Sequence, residues 1–293
     1  MLCKRLVPEG VKNMEDIIKI AQIQCPVTAD KDANLRAAAA QIREMAKLDA
    51  DLVCLPEMFC CPYETPNFPL YADEEGASTD SFLAGIAREC GIYLSAGSVP
   101  EKEITEEGEK IYNTAYFYDR QGNKIGKHRK VHLFDIDVKG GQRFMESETL
   151  TAGDHFTVVD TEFGKIGLCI CFDIRFVETI RIMAQQGARL VVVPAAFNST
   201  TGPAHWELSF RAHSVFSQVF LTGTSPSFDE SASYHAWGHS ILTDPWGRVV
   251  EQMDEKTGWI LNEVDLSVAD EIRKQLPILS ARRTDLYCLE ETK

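Results

Sequence analysis

Cys171 ends the apolar run Lys165 to Ile170 and opens the abrupt break Cys171 to Arg175, so a thiol stands at a strand-to-helix elbow, presented like a nucleophile. A cysteine near neutral pH attacks poorly unless a cation, a helix N-terminus or an adjacent base increases its thiolate fraction. The helix expected just after Cys171 offers the dipole. Taken alone, a cysteine among β residues is a core residue. Histidine is the usual partner, yet none of the seven (His128, His132, His155, His205, His213, His235 and His239) sits in a pattern that marks a base. Carboxylates and lysine therefore enter: lysine in a polar pocket can hold an oxyanion, and a partly desolvated glutamate can move protons.

Glu57 follows a buried-looking strand and Pro56, where an acid is costly unless it faces a cleft. An isolated Pro-Glu pair is more often a solvated loop acid. Lys130 ends a cationic run and precedes Val131 and Leu133-Phe134, which suggests a loop turning inward; its plain alternative is an exposed basic loop.

The elements that must position these groups come from periodicity. Ile17 to Gln24 is β-rich, Asp30 or Asp32 can cap a helix with Leu35, Ala38, Ile42 and Met45 on one face, and Asp51 to Leu55 reads as a buried strand. The second half repeats this order, with strand Lys165 to Ile170, helix Phe176 to Gln186 and strand Arg189 to Val193. Two such units predict an α/β protein with a pseudo-twofold layout, Glu57 from one unit and Cys171 from the other meeting near one site. Further strands are expected at 92–96, 112–118, 157–160, 220–224, 239–243, 248–252 and 259–264, and helices at 79–90, 204–217 and 266–275. No Ser/Gly-rich linker appears, so residues 14–293 read as a single domain with a C-terminal tail from Pro277, and residues 1–13 as a flexible extension.

The net charge of −14 opposes a nucleic-acid binder, which would show a basic face. No stretch approaches the roughly 20 apolar residues of a membrane span, and the first residues lack a signal-peptide core. Nine cysteines at irregular spacing, with no secretion signal, point to reduced thiols in a cytoplasmic protein. Cys60-Cys61 and Cys169/Cys171 lack zinc-site spacing, so no metal and no organic cofactor is expected.

Three blocks then carry a resemblance: Leu55 to Phe59 around Glu57, Lys130 to Phe134, and Gly167 to Phe176 around Cys171. In this order they resemble the catalytic Glu, Lys and Cys blocks of the nitrilase, or carbon-nitrogen hydrolase, superfamily, over roughly Ile17 to Tyr287. The resemblance implies an α-β-β-α four-layer sandwich, commonly a homodimer or higher homo-oligomer. His132 to Asp137, Glu146 to Leu150, Thr200 to Glu207 and Ala236 to Ser240 are similar to the omega-amidase branch, whose substrates are monoamides of short dicarboxylates. It implies Glu57 as general base and acid, Lys130 as oxyanion stabiliser, Cys171 as nucleophile, and Glu146 as a second acid orienting substrate or lysine, with Glu148 its nearby rival.

The expected chemistry is amide hydrolysis through a Cys171 thioester, with Lys130 and the helix terminus favouring the thiolate and the Phe172 N–H sharing the oxyanion with Lys130. A substrate carboxylate needs a cationic or hydroxyl-rich pocket end, for which Arg175, Thr200 and Thr201 are candidates; Arg175 can instead pair with Asp173. Tyr63 and Phe197 are candidate pocket walls. Phe216-Ser217, His213 and Glu64 depart from the branch pattern, and Glu64 is placed to narrow or recharge the entrance. The alternatives are another amidase of the superfamily, acting on N-carbamoyl amines or deaminated glutathione, a nitrilase, or a noncatalytic scaffold.

Overall fold

The structure is a computed structural model that describes residues 16–139 and 143–292. The expected extension at 1–13 lies outside the described residues. In chain order the strands are β1 (Ile17–Gln24), β2 (Leu52–Cys54), β3 (Asp73–Glu74), β4 (Tyr93–Ser95), β5 (Val99–Thr105), β6 (Gly108–Tyr118), β7 (Lys124–Arg129), β8 (Asp135–Asp137), β9 (Arg143–Met145), β10 (Thr157–Thr161), β11 (Gly164–Leu168), β12 (Leu190–Pro194), β13 (Phe220–Thr224), β14 (Ile241–Thr243), β15 (Val249–Gln252) and β16 (Gly258–Asp265). The α-helices are α1 (Lys31–Lys47), α2 (Phe68–Tyr71), α3 (Ser78–Cys90), α4 (Val177–Gln185), α5 (Gly202–Ser217) and α6 (Ser267–Gln275).

Two sheets stack face to face. One runs β16-β1-β2-β4-β6-β5-β3 with β7 paired to β6, and the other β10-β11-β12-β13-β14-β15. Alternation along the strands decides the layers, because successive side chains leave opposite faces. Ile18 and Ile20 of β1 meet Leu190 and Val192 of β12 in the core between the sheets. Ala21 and Ile23 face outward and pack with Leu35, Ile42, Leu83 and Ile86 of α1 and α3. On the far side Val191 and Val193 pack with Ile180, Met183, Trp206 and Phe210 of α4 and α5. The result is the expected four-layer α-β-β-α sandwich, and the two expected βαβ units are β1-α1-β2 and β11-α4-β12, each with parallel strands.

Asp30, not Asp32, caps α1, its Oδ1 accepting the Ala33 amide at 2.8 Å. Gln22 ties the sheets together, Nε2 donating to the carbonyls of Gly223 at 2.9 Å and Ile241 at 3.1 Å.

The basic run before Lys130 is strand β7 rather than a loop. Its cations are neutralised across the sheet: Lys124 by Glu75 and Asp80, Lys127 by Glu75 and Glu101, and Arg129 by Glu101 and Glu103. Charged residues hide such a strand from a hydrophobic-pattern reading, and they conceal charged β5 on the other side of β6 as well. Gly126 is required where β7 crosses the other sheet, since a Cβ there would lie 2.7 Å from Val159 and 2.9 Å from Leu168.

Candidate active site

Glu57 leaves the end of β2 through a loop shaped by its neighbours. Ser98 donates its amide to the Pro56 carbonyl at 3.1 Å, and its hydroxyl accepts the Met58 amide at 3.1 Å. Gly97 makes this approach possible, because it adopts φ +61° and any Cβ would sit 2.1 Å from the Pro56 oxygen.

The Glu57 carboxylate is fully buried. Oε1 accepts from Lys130 Nζ at 2.9 Å and Asn113 Nδ2 at 2.8 Å and lies 3.0 Å from the Tyr63 hydroxyl, while Oε2 accepts the Ala196 amide at 2.8 Å. Oε1 is thus saturated, and Oε2 is the oxygen with capacity for a further proton. Glu146 is the second buried acid. Both of its oxygens lie 2.9 Å from Lys130 Nζ, Oε1 also receives the Tyr63 hydroxyl at 2.7 Å, and Oε2 accepts the Phe134 amide at 2.7 Å. Its rival Glu148 points away and pairs with Arg143 at an exposed site.

Burial opposes the charge on Lys130, but Glu146 and then Glu57 outweigh it and hold the ammonium above its ordinary range. Burial also raises the Glu146 carboxyl, against the pull of Lys130.

Cys171 is buried and adopts φ +42°, a left-handed backbone that non-glycine residues rarely take. Strain of this kind accompanies sites where a side chain must be aimed. The expected thiolate is not favoured here: burial first, and then the charge of Glu57, push the thiol well up, and Lys130 and the Ala196 N–H only partly oppose them. The dipole argument fails for a structural reason. Cys171 to Arg175 form a short 3₁₀ turn, Phe176 is extended, and α4 starts only at Val177. The same carboxylate of Glu57 faces the Cys171 thiol and disfavours its ionisation.

The pocket walls follow. Tyr63 does more than line a wall, since its hydroxyl lies between the two acids. Its ring packs on Phe144, Phe68 and Tyr234. Phe134 stacks edgewise on Phe172. A cavity of about 320 Å³ reaches Glu57 from beyond the Tyr63–Tyr234 pair, and Glu64 at its rim accepts a hydrogen bond from Ser233. His213, Phe216 and Ser217 lie elsewhere, lining a cavity of about 520 Å³ between α4, α5 and the tail.

Arg175 does not pair with Asp173. Its guanidinium stands 4.4 Å from the Phe197 ring centre, with Nη1 2.9 Å from His205 Nδ1 and Nη2 3.3 Å from the Thr201 hydroxyl. Its Nε is buried with no hydrogen-bond partner. Asp173 is instead occupied by His128 and His132. The structure groups Arg175, Thr201 and Phe197, whereas Thr200 is exposed on the loop. Sequence reasoning missed Asn113, Tyr234 and the Ala196 amide. Asn113-Thr114, a polar break inside apolar β6, was the one available signal. Among the described residues no group of three or more His, Cys, Asp or Glu side chains could hold a metal ion, and no helix is long and apolar enough to cross a membrane.

A four-layer sandwich presenting buried Glu, Lys and Cys at the ends of its strands defines an amide-hydrolysing carbon-nitrogen hydrolase. Residues 19–274 match the carbon-nitrogen hydrolase family, and the chain belongs to it. Within it the chain falls on the omega-amidase branch. It is 47% identical over 275 residues to omega-amidase NIT2-A of Xenopus laevis and 46% identical to omega-amidase NIT2 of Mus musculus, each match covering 94% of this chain and 98% of the relative. The solved structure of Saccharomyces cerevisiae Nit3, a member of branch 10 of the nitrilase superfamily, superposes with a TM-score of 0.83 at 39% identity, covering 92% of this chain and 97% of that one. The protein is an amidase.

Proposed function

We propose that this amidase cleaves the omega-amide of short dicarboxylate monoamides such as 2-oxoglutaramate, 2-oxosuccinamate and succinamate, giving the dicarboxylate and ammonia through a thioester on Cys171. The observation that carries the reading is Arg175, an arginine beside the nucleophile with a buried, unpartnered Nε and no carboxylate paired to it among the described residues. A guanidinium fork in that state suits the free carboxylate of the substrate, with Thr201 beside it and Phe197 beneath.

In this reading Glu57 Oε2 takes the thiol proton as sulfur attacks the amide carbon. The oxyanion forms toward Lys130 and the Phe172 N–H, contacts that strengthen as charge develops. Glu57 returns the proton to nitrogen, the C–N bond breaks and ammonia leaves. Water then gives a proton to Glu57 and attacks the thioester; the C–S bond breaks and sulfur recovers its proton. Glu146 and Tyr63 hold Lys130 and Glu57 in register throughout. Cytoplasmic residence and self-association into a homodimer are part of the same proposal.

Ammonia release from 2-oxoglutaramate, an N-carbamoyl amine and a nitrile, measured side by side, tests the substrate class. Turnover of the first alone is expected; activity confined to the other two would overturn it.

A further inference from the structure

The Asp173 carboxylate is fully buried two residues beyond the nucleophile, and four donors converge on it. Oδ2 accepts the Ile170 amide at 3.1 Å and lies 3.1 Å from His128 Nε2. Oδ1 accepts the His132 amide at 2.8 Å and lies 2.8 Å from His132 Nδ1. A carboxylate only accepts, so both ring nitrogens facing it carry hydrogens. His128 and His132 stand two residues on either side of Lys130, and Ile170 immediately precedes Cys171. One side chain therefore joins the segment carrying the lysine to the segment carrying the thiol, although the two are about 40 residues apart.

We infer that Asp173 is a positioning residue for amide hydrolysis: it clamps the strained Cys171 elbow to the Lys130 loop and so sets where sulfur stands relative to the ammonium. The inference rests on the catalytic reading above and deepens it. The backbone at Cys171 is the part that needs holding, because a residue at φ +42° relaxes toward ordinary conformations unless its surroundings fix it. The Asp173 amide also donates to the Ile170 carbonyl at 2.9 Å, so the turn is closed from both sides. His132 is held in turn by Phe176, its ring stacked at 3.7 Å with 12° between planes. The His128 and His132 rings are both directed at Asp173, which explains why a Cys hydrolase can carry histidines beside its lysine and still use none as the base.

Asp173→Asn and His132→Ala are the informative variants, with Cys171→Ala as reference. Asp173→Asn should lower kcat about 100-fold, a loss of the size that misplaced catalytic groups produce, while KM moves less than about threefold. His132→Ala, which keeps the backbone donor, should lower kcat about tenfold. Iodoacetamide labelling followed by peptide mass spectrometry supplies a readout that fold stability alone would not move. The ratio of Cys171 to Cys288 modification should change in both variants, because Cys288 is exposed on the C-terminal tail and is not among the partners of Asp173. If both variants keep kcat within threefold of the parent and an unchanged labelling ratio, the inference is overturned. If Asp173→Asn does not fold, His132→Ala decides by the same two criteria. Activity surviving in Cys171→Ala would instead overturn the catalytic reading itself, a result separate from either.

Discussion

Glu57 and Ala196 are 139 residues apart, yet Glu57 Oε2 accepts the Ala196 amide at 2.8 Å and so joins the end of β2 in one sheet to the end of β12 in the other. That bond leaves one lone pair of Oε2 for the Cys171 thiol. The proposed base is aimed by a partner the sheets' stacking supplies.

Glu57→Gln keeps the shape and one carbonyl acceptor but cannot take a proton. Steady-state ammonia release should fall by about 10²–10⁴, the usual contribution of a positioned general base. Cys171→Ala should abolish turnover, and acid-quenched parent enzyme should carry an acyl adduct on the Cys171 peptide. Near-parental rates in Glu57→Gln would remove Glu57 from the role.

Arg175→Lys keeps the charge and loses the fork. For 2-oxoglutaramate kcat/KM should drop about 10- to 100-fold, the scale of one or two hydrogen bonds to a charged group. Hydrolysis of an uncharged amide such as propionamide should change little. Equal losses on both substrates would assign Arg175 to structure instead.

Gly97→Ala places a methyl against the Pro56 oxygen at a backbone angle that alanine resists. Urea unfolding should show a loss of at least about 1–3 kcal/mol. The surviving folded protein should also turn over more slowly, because the displaced loop carries Glu57. A stability unchanged from the parent would count against this account of the loop.

Acid should destabilise the fold through carboxylates whose folded forms are held anionic. Burial alone would raise Asp173, but His128 and His132 outweigh it and hold it well below its ordinary value. Burial likewise opposes ionisation of Glu75, yet Lys124 and Lys127 pull it down to about 2. Both folded values lie below the unfolded ones of about 4, so their stabilisation is complete above that pH and is lost as pH falls below it. Thermal melts between pH 6 and pH 3 should show the midpoint falling chiefly below about pH 4.5, with a shallower fall in Glu75→Gln. A flat profile would mean these groups are not depressed.

Much of the fold was legible along the chain because its core strands are apolar and its helices periodic. Phe220–Thr224 is bounded as the pattern indicates, and α3, α5 and α6 differ from their expected bounds by one or two residues at their first turn. Strands β5 and β7 were not legible, because their charges are satisfied only across the sheet, by partners that composition cannot pair. Glu57, Lys130, Cys171 and Glu146 were named by the blocks that resemble the carbon-nitrogen hydrolases, since the chain pattern alone reads them as a core cysteine and loop residues.

Sequence alone thus determined which residue types are available and where the chain releases them from regular structure. Tertiary structure decided their chemical states. Stacking two sheets buries two acids, a lysine and a thiol in one small volume, and there the cost of desolvation and the placement of each donor set where protons rest. The thiol that the sequence suggested would ionise is pushed up by burial and by Glu57, Arg175 is left without the Asp173 partner two residues away, and Asp173 is turned to the histidines around Lys130.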